Sequence, residues 1–180
     1  PDGRALVRGL QGGAVEVFDL ERAARVGAVV SSARVVVGGD VVSLVVAPGA
    51  HRIAVVVDAD GVRLFNAPAG LGHGALLPAG SLGEASKTVS AVVFSSDGVL
   101  LTADTDNQVR HWALGTQPRA PAESRVLGRH DGDVHSLALV TGANQSDSLV
   151  LSGGEDNTLR LWLLSGGSEL RTVTGFSEEV

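Results

Sequence analysis

The sequence predicts an all-β fold, and composition is the first reason. The 180 residues are 44% hydrophobic and 19% charged, with 3% aromatic residues and 24 glycines. Valine-rich runs such as Val41–Val46 and Ile53–Val57 end at turns that contain glycine, proline or aspartate. This pattern favours short strands joined by tight turns. We therefore expect one folded domain with a sizeable apolar core.

The second reason is a repeat. An aromatic residue closes an alternating run at four places, Phe18, Phe65, Trp112 and Trp162, at intervals of 47, 47 and 50 residues. A period of about 40–50 residues with several short strands per unit is typical of a β-propeller blade. We therefore expect four blades, over residues 1–40 (a partial blade), 41–83, 84–128 and 129–176.

Within each unit the expected strands follow the apolar runs. In the first unit, whose first strand is missing from the chain, they are Ala5–Arg8, Val15–Phe18 and an outer strand Arg25–Val30. In the second they are Val41–Val46, Ile53–Val57, Val62–Phe65 and Ala75–Leu77. In the third they are Val89–Phe94, a run from Val99, Val109–Trp112 and Ser124–Leu127. In the fourth they are Leu137–Val140, Leu149–Leu151, Leu159–Trp162 and Glu169–Thr174.

Polar residues of the fourth unit are placed to meet at one hairpin. Ser152 lies just inside a strand, Asp156 lies in the following turn and Trp162 ends the next strand, while His130 precedes the first strand. Buried polar groups need hydrogen-bond partners. We therefore expect a closed relay of these four side chains that pins the hairpin.

The third unit repeats part of this pattern. Thr102, Asp106 and Trp112 have the same mutual offsets as the serine, aspartate and tryptophan of the fourth unit, but no histidine precedes Val89 at the place that matches His130. We expect a three-membered version of the relay there. In the second unit Phe65 replaces tryptophan, so no relay is expected.

These motifs resemble the WD-repeat β-propellers, in which histidine, serine or threonine, aspartate and tryptophan form a structural tetrad at this spacing. One departure is Arg129, which separates Gly128 from His130 where the family has a glycine–histidine pair; we interpret it as a one-residue loop insertion. Because propellers of this family usually have seven blades, four units imply either part of a larger ring or an unusually small ring, and we favour the larger ring of seven blades. The chain begins at Pro1 and contains no methionine, which indicates an internal segment of a longer protein.

The same residues include the types of a hydrolase triad, so a propeller-based hydrolase is the enzymatic alternative. A catalytic serine needs exposure on a strained turn beside an oxyanion hole. Ser152 instead continues an apolar strand without a glycine-x-serine-x-glycine motif, which favours a structural role and a non-enzymatic protein. There are no cysteines, and the five histidines show no ligand-like spacing. We therefore expect no metal and no cofactor.

Charge and hydropathy limit the possible partners. A net charge of −6 argues against broad binding to a phosphate backbone, so no direct nucleic-acid contact is expected. No apolar run reaches the length of a membrane span, and no charged-then-apolar leader opens the chain. The expected location is inside the cell, in the cytoplasm or the nucleus.

The resemblance also implies where a partner would bind. In WD-repeat propellers, side chains just before the first strand and next to the turn aspartate face one rim of the ring. Carried over to this sequence, those residues are Asp133 and Glu155 in the fourth unit and Thr105 and Lys87 in the third. The resemblance therefore implies a scaffold for protein–protein contacts.

A narrower resemblance covers Leu101–Arg110, Leu127–His130, Ser152–Trp162 and Gly166–Leu170. These stretches are similar to the non-catalytic WD-repeat subunit of tRNA (guanine-N7) methyltransferase, where a threonine-alanine-aspartate block with charged residues after it lies near the face that holds the catalytic subunit.

The residues kept from this block are Thr102, Ala103, Asp104, Asp106 and Arg110. The sequence departs at Thr105, Asn107 and Gln108, where that family prefers arginine, an acid and lysine. The resemblance adds Arg110 to the partner contacts and implies a methyltransferase catalytic subunit as partner and a role in tRNA processing. A general adaptor in another multiprotein assembly is the alternative.

Overall fold

The computed structural model describes residues 5–29, 31–49, 51–58, 60–67, 75–82, 88–95, 98–114, 123–140, 142 and 148–177. Within these ranges the chain forms fifteen strands and one short helix. The strands make four antiparallel sheets, one of three strands and three of four strands. The prediction of an all-β fold made of propeller-type blades is confirmed.

The first sheet has three strands in chain order, β1 Ala5–Gly9, β2 Ala14–Asp19 and β3 Ser31–Val36. Between β2 and β3 lies the helix α1, Leu20–Val26. Asp19 caps its first turn by accepting from the Arg22 N–H at 2.9 Å, and Gly27 ends it with φ +72°, a left-handed conformation that glycine adopts readily.

The prediction of an outer strand at Arg25–Val30 was therefore wrong. Asp19 and Gly27 cap the helix Leu20–Val26, which includes the first two residues of this segment, and the outer strand begins at Ser31. Residue 30 lies outside the described ranges.

The other three sheets have four strands each. The second contains β4 Val41–Val46, β5 Arg52–Val57, β6 Gly61–Asn66 and β7 Leu77–Leu82. The third contains β8 Val89–Phe94, β9 Leu100–Asp104, β10 Gln108–Ala113 and β11 Glu123–Arg129. The fourth contains β12 Val134–Val140, β13 Leu149–Gly154, β14 Leu159–Leu163 and β15 Glu169–Val173. The second sheet's outer strand thus begins at Leu77, where the predicted strand Ala75–Leu77 ended.

The chain divides into two compact units, the first containing the first two sheets and the second containing the third and fourth. Each unit has its own apolar cluster. That of the first unit includes Val15, Ile53 and Phe65, and that of the second includes Leu101, Val150 and Trp162. The valine-rich strands are almost entirely buried where they lie at the centre of a sheet, because both faces are covered.

Inside the second unit, side-chain hydrogen bonds join the third sheet to the fourth. The Ser90 hydroxyl donates to the carbonyl of Val134, and Arg125 donates to the carbonyls of Leu164 at 2.7 Å and Ser165 at 3.0 Å. These bonds connect β8 to β12 and β11 to the segment that follows β14. The helix α1, the only one within the described ranges, is too short to cross a membrane.

Candidate functional site

The fourth sheet contains a buried relay of four side chains. The Trp162 indole N–H donates to Ser152 Oγ at 2.8 Å, and Ser152 Oγ lies 2.8 Å from His130 Nε2. His130 Nδ1 lies 3.0 and 3.1 Å from the carboxylate oxygens of Asp156. Because the serine hydroxyl accepts from the indole, it donates to Nε2, which assigns the imidazole proton to Nδ1. Every polar side-chain atom of these four relay residues therefore has a hydrogen-bond partner.

Asp156 is the hub of this arrangement. Besides the imidazole, its carboxylate accepts from the Asp131 N–H at 3.0 Å, the Thr158 hydroxyl at 2.7 Å and Arg160 Nη2 at 3.2 Å. Burial disfavours the charged form, but hydrogen bonds from Asp131, His130 and Thr158 outweigh it and hold the pKa of the Asp156 carboxyl well below its usual range. The carboxylate is therefore ionised at any pH near neutrality.

In the third sheet only one bond of the expected three-membered relay forms. The Trp112 indole N–H donates to Thr102 Oγ1 at 2.9 Å. Asp106 does not extend this bond, because its carboxylate accepts from Gln108 Nε2 at 2.9 Å and from Arg110 Nη2 at 3.1 Å. Asp106 was expected to bond within the Thr102–Trp112 relay, whereas in the structure its carboxylate bonds to Gln108 and Arg110.

A second carboxylate, Asp104, lies beside that aspartate at the end of β9. Its side chain is 4% exposed and accepts from the Gln108 N–H at 3.2 Å and from Arg110 Nε at 3.2 Å. Burial, and next the hydrogen bond and charge of Asp106, raise the pKa of Asp104 to about 6. The Arg110 guanidinium therefore bridges two acidic side chains.

The structure brings three of the five predicted contact residues to one rim. Asp133 and Glu155 are neighbours, because the Glu155 N–H donates to the Asp133 carbonyl at 2.9 Å. Thr105 is exposed in the β9–β10 turn. That turn adjoins the fourth sheet through Asn107, whose carbonyl accepts from the His130 N–H at 2.8 Å.

The other two predicted contact residues, Arg110 and Lys87, are not placed on this rim by the described residues. The Arg110 side chain is only 19% exposed and its guanidinium is held by two carboxylates. Lys87 lies outside the described residues. With its amide oriented so that the nitrogen faces acceptors, Asn107 donates to the Gly132 carbonyl at 3.3 Å and to Asp133 Oδ1 at 3.2 Å. The β9–β10 turn is therefore in contact with the segment between β11 and β12.

Several residues of the site were missed by the sequence reasoning, namely Asp131, Thr158 and Arg160. A signal for two of them is present. Polar residues lie at positions 108 and 158 and arginines at 110 and 160, each pair 50 residues apart like the two turn aspartates. Aligning the whole hairpins, rather than the tetrad alone, would have found both.

The relay leaves no accessible nucleophile. Ser152 is 1% exposed, and its hydroxyl both accepts from an indole and lies against an imidazole nitrogen. The residue types of a triad are therefore used here as an internal brace. Within the part of the chain that the structure describes, no three histidine, cysteine or acidic side chains lie close enough together to hold a metal ion.

Two comparisons with known proteins agree with this geometry. First, the whole chain matches the crystal structure of a computationally designed protein, Ika8, with a TM-score of 0.74 at 18% identity. This likeness concerns the fold alone, and the chain spans about half (49%) of that protein's length.

Second, residues 78–113 and 122–162 match the family model of the WD domain, G-beta repeat. These segments begin in β7, run through the third sheet and end in β14 of the fourth, and they include both tryptophan–hydroxyl pairs. The chain therefore carries WD repeats in this region, and the WD-repeat resemblance of the sequence is confirmed at that level.

Proposed function

We propose that this chain is a scaffold for protein–protein contacts and that the rim of its second unit, formed by Thr105, Asp133 and Glu155, contacts the partner. The observation that supports the proposal is the pair of matched WD repeats whose exposed turns are braced from below by buried hydrogen bonds. A preorganised surface loses little conformational freedom on binding, so more of its contact energy appears as affinity.

A charge-altering pair of rim variants tests the proposal. Glu155→Lys and Thr105→Glu change two exposed residues of the rim that do not belong to the relay. The matched control is Arg171→Glu, because Arg171 is also exposed but lies on β15, away from these turns. Proteins captured by the full-length chain from a lysate are compared by mass spectrometry. We expect partners that both rim variants lose and the control retains. Identical captures for all three variants would reject this rim.

A more specific version names the partner as a methyltransferase catalytic subunit that modifies guanine N7 in tRNA. Its support is the Thr102–Asp104 block on β9 and Arg110 on the adjoining β10. Because Arg110 is held by two aspartates, the exposed Thr105 is the side chain of this block with most freedom to reach a partner.

The specific version is tested with a purified catalytic subunit of such an enzyme and the full-length chain. Thr105→Arg introduces the residue type that the family prefers and is expected to strengthen binding, while Arg110→Glu is expected to weaken it. If the purified subunit shows no binding to the unaltered chain or to either variant, this partner is rejected. The general scaffold proposal would then stand, with an adaptor role in another assembly.

A further inference from the structure

A cavity of about 300 Å³ lies within the first unit, between its two sheets. Val36 and Val37, at the end of β3, form one wall. The other wall consists of residues on β6 and β7, among them Phe65 and the polar residues Arg63 and Ser81. Sites for small ligands begin at about this size, so the cavity is large enough to hold one.

Comparison with the relay of the fourth sheet explains why this space exists. The Val37 N–H donates to the Gly13 carbonyl at 2.8 Å, as the His130 N–H donates to the Asn107 carbonyl at 2.8 Å. Val37 therefore stands where the fourth sheet has the relay histidine. Phe65 likewise lies in the strand that carries the relay tryptophan in the fourth sheet. Both side chains are smaller than their counterparts, and a smaller core side chain leaves space where the surroundings do not close up.

The fourth sheet also shows which kind of group fits such a place. There the His130 ring meets the Trp162 ring edge-on, with the ring centroids 6.4 Å apart and the planes at 62°. Aromatic pairs favour this arrangement. In the first unit Phe65 lines the cavity together with the apolar residues Val37 and Pro78. Since apolar cavities of this kind take up small aromatic molecules, a ring is the group that these walls fit.

The two polar residues of the wall have unused hydrogen-bonding groups. Arg63 donates to Asp60 through Nε at 2.9 Å and through Nη2, and within the described part of the chain nothing accepts from its Nη1. The hydroxyl of Ser81 has no hydrogen-bond partner there either. Asp60 already balances the charge of the guanidinium. A neutral acceptor therefore fits this wall better than a second carboxylate.

We propose that this cavity is a binding site for a small aromatic ring that carries a neutral hydrogen-bond acceptor, with phenol as the simplest example. The ring packs against Phe65 and Val37. The phenolic oxygen accepts from Arg63 Nη1, and its O–H donates to the Ser81 hydroxyl. Because the cavity lies in the first unit and uses no residue of the rim, this site goes beyond the scaffold role.

The test follows the valine methyl signals of the full-length chain by NMR while phenol is added. We expect the largest shifts at Val36 and Val37, because an aromatic ring displaces the resonances of the groups that it contacts. A ligand of this size should bind with a dissociation constant on the order of 1 mM. Benzene, the same ring without the oxygen, should bind about tenfold more weakly, because it lacks the hydrogen bond to the guanidinium.

Substitutions at the wall provide the second measurement. Val36→Trp places a large side chain at the cavity and should weaken phenol binding by at least about tenfold. The matched control is Val42→Trp, because the two valines are 68% and 63% exposed but Val42 lies on β4 and does not line the cavity. Ser81→Ala should weaken binding about fivefold. This mild change at an exposed position keeps the test decisive if Val36→Trp fails to fold.

The proposal is overturned if phenol at about 10 mM, well above the expected constant, leaves the Val37 methyl signals unmoved. It is also overturned if benzene binds as tightly as phenol, or if both tryptophan variants bind alike.

A tripeptide with a central tyrosine distinguishes two sources of the ring. Its binding would support the site and show that a partner protein can supply the ring, whereas binding of phenol alone would support a site for free small molecules. A negative result with every ligand leaves the scaffold proposal untouched, because no rim residue takes part.

Discussion

Replacing Ser152 with alanine should destabilise the fourth sheet strongly. The serine hydroxyl accepts from the Trp162 indole at 2.8 Å and lies 2.8 Å from His130 Nε2. Alanine removes this oxygen and leaves a buried N–H and a buried ring nitrogen without partners, since the two rings are each 4% exposed. Each orphaned buried polar group costs about 1–3 kcal/mol, so two of them give an expected loss in unfolding free energy of about 2–6 kcal/mol.

The third sheet provides the matched comparison. Thr102 accepts from a single indole N–H at 2.9 Å and has no histidine beyond it. Thr102→Ala therefore orphans one group instead of two, and its hydrogen-bond penalty should be smaller by about 1–3 kcal/mol. Ser152→Thr keeps the hydroxyl and inserts the residue that the third sheet has at the same place, so it should retain most of the stability.

Urea unfolding of the full-length chain, followed by tryptophan fluorescence, measures all three variants. The slope of free energy against denaturant should stay constant, so that midpoints report stability. Two orphaned groups should cost at least about 2 kcal/mol. A Ser152→Ala loss in unfolding free energy below about 0.5 kcal/mol would therefore refute the relay as a stabilising element. Equal losses for the alanine and threonine variants would show instead that side-chain volume, not the hydroxyl, matters.

Three other predictions rest on single contacts. Gly128→Ala places a Cβ 2.5 Å from the Trp162 ring and should lower the unfolding free energy by about 1–3 kcal/mol. Its control is Gly166→Ala, whose Cβ meets nothing closer than 3.6 Å; equal midpoints for both would contradict the close packing. Asp19→Ala removes the N-cap of α1 and should cost about 1 kcal/mol in the first unit, measurable as faster amide exchange in the helix. Because the pKa of Asp156 is held low, its stabilisation is present above about pH 4 and lost on further acidification; unfolding of Asp156→Asn should lack that acid-induced loss.

Much of the fold could be predicted because one signal is repeated. Four aromatic residues at near-constant spacing, Phe18, Phe65, Trp112 and Trp162, each lie in the strand that precedes the last strand of their sheet. Alternating apolar runs with glycine turns predicted the inner strands. These features are local in sequence and are imposed by packing between sheets, so they are visible without coordinates.

The errors fall where local chemistry competes with that pattern. Arg25–Val30 has an apolar appearance, yet Asp19 and Gly27 are positioned to cap a helix, and capping decided the structure. The partners of Asp106 could not be found from the tetrad spacing, because the choice between Thr102 and Arg110 depends on which groups are buried together. Spacing predicts which residues share a hairpin, whereas burial and charge decide which of them bond.

The two hairpins of the second unit show this distinction most clearly. In the fourth, Asp156 faces Arg160 and a histidine that donates to it, so one carboxylate meets ample donors and stays ionised. In the third, Asp104 stands at the position of Gly154, and burial together with the neighbouring Asp106 raises the pKa of Asp104 to about 6. By linkage, the contribution of Asp104 to stability is present below about pH 4 and lost as the pH rises through about 6, whereas the contribution of Asp156 is lost only on acidification. Arg160 contacts three carboxylates and Arg110 two, so the burial of each aspartate and the hydrogen bonds that it accepts, and not the number of acids per arginine, set that difference.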